Sequence, residues 1–377
     1  MTIGVKKESP LNINLYAKDG FFEGIFSSGI LGFLLRTQIM QETDEFAGFQ
    51  RYGQEITVPF TKQIKGPGKT GGETLEGNEK TIELDHFKMR IDKTRQAAIV
   101  PGLTNLAQIR TSVNFEDAAR RTLPDWHLKH LDTSIFNHLC GNTSTTLSLD
   151  GYAYDNDNKF QLTGHNEVTA PTEGRIFRPG GKTTDESLSA GDILTLDFLQ
   201  QAVVNSASQG MPLTPTLKEN DGFIVIVSEA QALALKQEAN ARGIALAKIE
   251  AGKDNFIEKA YPYPYTSPRP VVSVNGFDIY QHKYISQGVH STSAVPVPSV
   301  HRAVVLGKNA IAFGSKYPIK SFAGATASHN VPLEYSEPLK RDYAEYVSFA
   351  TSMIYGVKKY VFDGQDYGTI VLPSFVG

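Results

Sequence analysis

The chain has 377 residues, a formal net charge of −3, 40% hydrophobic residues and one cysteine. That length suits two domains or one large elaborated domain with a full core. The charge excludes a basic nucleic-acid-binding tail, and the single cysteine, Cys140, excludes an intramolecular disulfide framework. The polar stretch after Lys6 and Lys7 is no signal peptide, and the longest apolar run, 29–35, is too short to cross a bilayer, so the sequence predicts a soluble protein made inside the cell.

Residues 1–53 form an entry segment. Phe21, Phe22, Ile25, Phe26, Ile30, Phe33 and Leu34 recur near helical spacing, broken by Gly24, Gly29 and Gly32. They predict either a short pair of core helices or an arm laid across a neighbouring subunit.

Residues 54–95 carry the pattern of a long β-hairpin. Ile56, Val58 and Phe60 alternate along the outgoing strand, and 81–91 returns. Ile82 and Leu84 are out of phase with Phe87, Met89 and Ile91, which predicts a bulge near His86. A two-stranded ribbon is marginal alone in water, and ten residues of it project ~33 Å. Unless the rest of the chain covers it, a neighbour must, and this points to an assembling protein.

The glycine-rich tip contains Gly68-Lys69-Thr70, the end of a phosphate-binding loop. The motif lacks its first glycine, since Gln63 stands there, and lacks a following helix. Lys65, Lys69, Glu73, Glu76 and Lys80 are instead mixed surface charges suited to setting register between subunits.

Asn114 is an N-cap for the longest helix signal, 114–140, which Pro124 should kink. His127 and His130 share a face, yet no HExxH motif accompanies them, so packed or solvated histidines are expected and no metal. Arg120, Arg121 and Lys129 form a polar face, either solvated or bridging to another subunit. Cys140 sits at the helix end, where the dipole raises a thiol pKa.

Residues 141–191 turn polar and glycine-rich, and predict a long loop or insertion with little core of its own. Asp150, Asp155 and Asp157 imitate part of a calcium loop without its glycine and glutamate. Beyond it, Thr195 caps a helix that ends before Gly210. Residues 223–227 read as a strand buried on both faces, and Ser228 caps a helix over 229–240. Strands follow at 277–280, 303–306 and 310–313, the last two joined by a hairpin turn at 307–309. Pro262, Pro264, Pro268 and Pro270 mark a loop, and 346–362 and 368–372 close the chain. The pattern is α+β, with an elongated part and a compact part. No nucleophile elbow is present, and neither enzymatic activity nor a cofactor is expected.

An ordered set of short stretches carries a family resemblance: ETLEGNE at 73–79, DAARRTLPDW at 117–126, LDTSIF at 131–136, GDILTLDF at 191–198, VLGKNAIAF at 305–313 and IYGVKK at 354–359. The chain resembles the major capsid proteins of tailed double-stranded DNA bacteriophages, in the subgroup typified by phage N-four. The resemblance spans about residues 20–372.

It implies the Hong Kong 97-like fold, with 1–53 as the N-terminal arm and 54–95 as the extended loop. Residues 96–222 and 300–377 would form the peripheral domain, holding the spine helix 114–140 and an exposed insertion 141–191; 223–299 would form the axial domain. It further implies self-assembly into pentamers and hexamers, a scaffolding protein and a portal as partners, room for a decoration protein, and enclosure of double-stranded DNA without sequence-specific binding. The location implied is the virion capsid, assembled in the host cytoplasm, with no membrane. Other readings are a cellular nanocompartment shell of the same fold, a metal- or nucleotide-dependent enzyme using His127, His130 or Lys69, and a tail or adhesin protein.

Overall fold

The computed structural model describes residues 30–42, 55–61, 68–72, 76, 79, 84–102, 105–154, 158–209, 213–216, 222–242, 268–274, 276–315, 333–335, 338–362 and 364–377. In chain order the helices are α1 (Ile30–Arg36), α2 (Leu106–Arg110), α3 (Phe115–Leu139), α4 (Leu196–Ser208) and α5 (Glu229–Ala241). The strands run from β1 (Met40–Glu42), β2 (Glu55–Thr61), β3 (Leu84–Arg90) and β4 (Asp92–Pro101) through β5 (Leu147–Leu149) and β6 (Tyr152–Tyr154). Then come β7 (Phe223–Val227), β8 (Arg269–Val274), β9 (Phe277–Gln281), β10 (Gln287–Val289), β11 (Pro296–Leu306) and β12 (Ile311–Ser315). The last are β13 (Leu333–Tyr335), β14 (Leu339–Arg341), β15 (Tyr346–Lys359), β16 (Val361–Phe362), β17 (Gln365–Asp366) and β18 (Thr369–Phe375).

Two six-stranded sheets organise these elements. In the first, β15 is the shared strand: β4 lies antiparallel along 346–355, while β14, β13 and β12 pair with successive stretches of it. In the second, β7 lies between β11 and β9, and β18 pairs along β11. β7 pairs through 224–226 with residues 304–306, so this sheet draws on chain from both sides of residue 300.

The FIVIV run of β7 is buried on both faces because two cores meet across it. Ile224 and Ile226 face the core built by α1, α3, β12 and β15. Val225 and Val227 face the core built by α4, α5, β9 and β18. Strand alternation makes this assignment automatic.

The helix starts follow from their caps. The Asn114 side chain accepts from Glu116 N–H, the Thr195 hydroxyl accepts from Phe198 N–H, and Ser228 and Gln231 form a reciprocal capping box. Helix α3 continues for 25 residues through Pro124. Within the entry segment, Ile30, Phe33 and Leu34 pack into the chain's own core on α1. Phe21, Phe22, Ile25 and Phe26 lie outside the described residues, as do Pro262 and Pro264.

Two expectations are corrected. The β2–β3 register runs unbroken from Glu55 opposite Arg90 to Thr61 opposite Leu84, with no bulge at His86. Phe87 and Met89 share one face, and Ile82 lies outside the described residues.

The turn at 307–309 joins no hairpin. β11 and β12 belong to different sheets, and the turn's backbone bonds elsewhere: Gly307 N–H to Gly368 O, Lys308 N–H to Thr214 O and Asn309 N–H to Gln38 O. Asn309, at φ 54°, turns the chain from one sheet to the other.

The segment 141–191 is mostly loop with short elements, and it is packed on the body. It carries a small hairpin, β5–β6, whose Leu147 and Leu149 pack on Leu162. Gly164, at φ 53°, lies so close to the Val357 backbone that a Cβ would overlap it. Part of its polar composition makes buried hydrogen bonds to the body, through Asn166, Arg175 and Asp185, while Thr145, Ser148, Lys182 and Ser189 are exposed.

Candidate assembly surfaces

The ribbon's base is anchored, and the described tip residues, 68–72, 76 and 79, are exposed. Phe87, Met89 and Ile91 turn inward onto Ala312, Ile354 and Tyr360, with the Phe87 and Tyr360 rings 4.6 Å apart. Lys358 Nζ lies 5.4 Å from the centre of the Phe87 ring and donates to the Lys88 carbonyl at 2.6 Å. The Asn166 amide holds Arg90 from both sides: its Oδ1 accepts from Arg90 N–H at 2.8 Å and its Nδ2 donates to Arg90 O at 2.9 Å. Gly356 permits the approach, since a Cβ there would overlap the Arg90 carbonyl oxygen. Glu55, Thr57, His86 and Lys88 are exposed on the opposite face. Among the described residues no third strand joins β2 and β3.

At the tip, Lys69 and Glu76 are exposed, while Lys65, Glu73 and Lys80 lie outside the described residues. Gly68-Lys69-Thr70 is irregular chain leading into a turn at Gly71-Gly72, where a phosphate loop would begin its helix.

The three helix cations separate. Arg120 lies 5.7 Å from the Phe349 ring centre and 3.8 Å from Glu116. Lys129 bridges Asp125 and Asp150, each at 3.3 Å. Burial works against its charge, but the two carboxylates hold its pKa above the ordinary lysine value. Arg121 is exposed. The first two spend their charge within the chain, and Arg121 presents its charge to the outside.

The helix histidines are packed. The His127 Nε2 shares a proton with the Thr351 hydroxyl at 3.0 Å. His130 donates from Nδ1 to Trp126 O and accepts at Nε2 from the Tyr154 hydroxyl, both at 2.8 Å. His138 donates from Nε2 to Thr163 O at 2.8 Å. Burial pulls the pKa of each down to about 4, helped at His127 by the neighbouring His130. They are neutral struts between α3, β15 and the 141–191 segment. Among the described residues no three His, Cys, Asp or Glu side chains gather closely enough to hold a metal ion. Asp150 is spent on Lys129, and Asp155 and Asp157 lie outside the described residues. Burial also pushes the Cys140 thiol up, and its Sγ donates to Arg302 O.

Two buried charge clusters had no sequence signal, because their partners are distant in the chain or concealed in polar stretches. Asp185 accepts from Arg178 Nε at 2.7 Å and from Arg302 Nε at 2.8 Å, and also from Val289 N–H. Arg302 donates onward to the Cys140 and Gly141 carbonyls at the end of α3. Lys359 and Asp366, both fully buried, pair at 2.8 Å. Burial pulls the Lys359 pKa down against the opposing pull of Asp366.

A long helix under a sheet with one shared central strand, a second sheet flanked by helices, and a ribbon projecting from the first define a subunit of the Hong Kong 97-like shell type. The capsid of Ralstonia phage GP4 has this architecture, with a TM-score of 0.68 at 17% identity over 90% of this chain and 88% of that one. So does the capsid of cyanophage Pam1, with a TM-score of 0.61 at 14% identity over 90% and 89%. In sequence, the major capsid protein of Pseudomonas phage KPP25 is 25% identical over 154 residues, a match spanning 40% of this chain and 40% of that protein. The phage capsid protein family model matches residues 6–219, more than half of the chain. The chain belongs to the phage capsid protein family.

Proposed function

We propose that this chain is the major capsid protein of a tailed phage, building pentamers and hexamers of an icosahedral head around double-stranded DNA. The observation that carries this reading is the ribbon. Its base is clamped by Asn166, Lys358 and Tyr360, and Lys69, Glu76 and Glu79 at its tip are exposed. A chain that spends buried contacts to aim a two-stranded projection outward has a use for that projection on another molecule. Family membership makes the other molecule a second copy.

In this reading β2–β3 is the extended loop and α3 the spine helix. The sheet around β15, with α4 and the C-terminal strands, gives the peripheral part. The axial part is 223–299, joined through β7 to β11. The tip charges Lys65, Lys69, Glu73, Glu76 and Lys80, with Arg121 on α3, meet neighbouring subunits. Arg120 and Lys129 contribute by stiffening α3. A scaffolding protein and a portal complete the assembly, a decoration protein has room outside, and the site of assembly is the host cytoplasm. The net charge of −3 suits a container that releases its DNA. The phage reading is preferred to a nanocompartment because the family match is to phage capsid proteins.

Sedimentation velocity tests this directly. The purified chain, alone or with the scaffolding protein of its phage, should give species hundreds of times the monomer mass. A monomer under both conditions contradicts the proposal.

A further inference from the structure

Helix α3 buries a carboxyl group where its pattern calls for an apolar side chain. Asp132 shares a face with Leu128, Leu131, Ile135 and Phe136, which line the main core. It is 0% exposed, and neither of its oxygens has a hydrogen-bond partner. No cation answers it among the described residues, since Lys129, one turn earlier, is held by Asp125 and Asp150. A carboxyl so placed is costly when charged and tolerable while it keeps its proton. Burial raises its pKa well above the usual carboxylate range. The Ile30 N–H lies near enough to work against this without forming a hydrogen bond, and the Asp125 charge adds to it.

What covers Asp132 is the start of α1. Ile30 opens that helix, and Leu31, Phe33 and Leu34 are buried in the same core. A helix of seven residues has no stability of its own in water, so α1 persists by docking. It is the first described element, and its docking fixes where residues 1–29 join the body.

The other elements around this core bring no compensating charge. β12 and β15 meet it with Ile311, Phe313, Val357 and Tyr355, whose phenol burial pushes up to about 12. The loop after β9 packs His282 against Phe136, with the rings 4.5 Å apart. In the same loop, burial pushes the Tyr284 phenol up, and the charges of Asp150, Asp132 and Asp125 add to this. Lys283 is exposed and lies 5.4 Å over the Tyr284 ring.

We propose that Asp132 is a proton-coupled latch for α1: the docked helix holds the carboxyl protonated, and loss of that proton to water releases α1 and lets solvent reach the carboxylate. The undocked carboxyl has an ordinary pKa of about 4, so above that pH the undocked state has given up a proton that the docked state keeps. Docking is therefore strongest in acid and weakens as pH rises. Each pH unit favours release about tenfold until the docked pKa is passed. The latch lies within one chain and does not rest on the shell reading.

Hydrogen exchange of the purified chain, read by mass spectrometry between pH 5.5 and pH 8, tests this. The parent is compared with Asp132→Asn, a neutral isostere, and with Asp132→Leu, which removes the polar group. Dividing parent by variant exchange at each pH cancels the intrinsic chemistry and the histidines common to both. For the peptide covering α1 the ratio should rise about tenfold per pH unit over at least one unit, while peptides of α4 and α5 keep a level ratio. Both variants should hold α1 equally at every pH. A flat α1 ratio against both variants overturns the proposal. So does a rise of the same size at α4 and α5, which would place the proton in global unfolding instead of in the docking of α1.

Discussion

Asp185→Ala should lower the unfolding free energy of the chain by about 3–5 kcal/mol, the largest loss expected from any single change described. Asp185 is fully buried between Arg178 and Arg302 and also accepts from Val289 N–H. Deleting the carboxylate leaves two guanidinium groups in a dry site with no counter-charge, a penalty several times that of an exposed ion pair. The damage spreads because Arg302 also caps α3 through the Cys140 and Gly141 carbonyls. One carboxylate therefore ties the 141–191 segment, the second sheet and the helix end together. Urea unfolding of the purified monomer measures the effect. A loss under 1 kcal/mol would mean that the cluster is not what fixes this junction.

Acidification should destabilise the chain between about pH 6.5 and pH 4, ahead of general carboxylate titration. His127, His130, His138 and His165 are each held to about 4 by burial. A folded pKa below the unfolded value means that the unfolded chain binds the extra protons. Stability is then complete above about pH 6.5 and drains as pH falls toward the folded value. A single such histidine is linked to ~3 kcal/mol over that window.

Neighbouring charges modify this without reversing it. Lys358 and Lys359 add to the depression at His138, Arg90 does so at His165 against Asp92, and Lys129 does so at His130 against Asp150. Asp132 works the other way. Burial raises its carboxyl well above the usual range, so its contribution is present at low pH and is lost as pH rises. Four histidines outweigh one aspartate, and the net slope is positive. Urea midpoints at pH 7 and pH 4.5 test the sign. His138→Gln, which keeps a donor for Thr163 O but cannot titrate, should flatten the profile. An unchanged profile would assign the acid sensitivity elsewhere.

Local signals were read correctly where the physics is local. Asn114, Thr195 and Ser228 announce their helices because a cap acts within three residues. The 223–227 run announces a doubly buried strand because alternation is absent from it. The errors came where distant chain decides. The turn at 307–309 looks like a hairpin until Thr214, Gln38 and Gly368 take its backbone groups. The polar composition of 141–191 looks solvated until Asn166, Arg175 and Asp185 are seen to be buried, each committed to hydrogen bonds with residues far along the chain. The bulge was inferred from a phase change between Leu84 and Phe87, across which the β2–β3 register runs without a break.

Electron microscopy of the purified chain beside a variant lacking residues 66–77 tests the central claim most directly. The account predicts closed, spherical particles from the parent, and only monomers, rings or irregular aggregates from the variant, with the same melting behaviour in both monomers. Closed particles of parental size from the variant would contradict the role given to the ribbon. Monodisperse monomers from the parent, even with scaffolding protein present, would contradict the assembly claim itself.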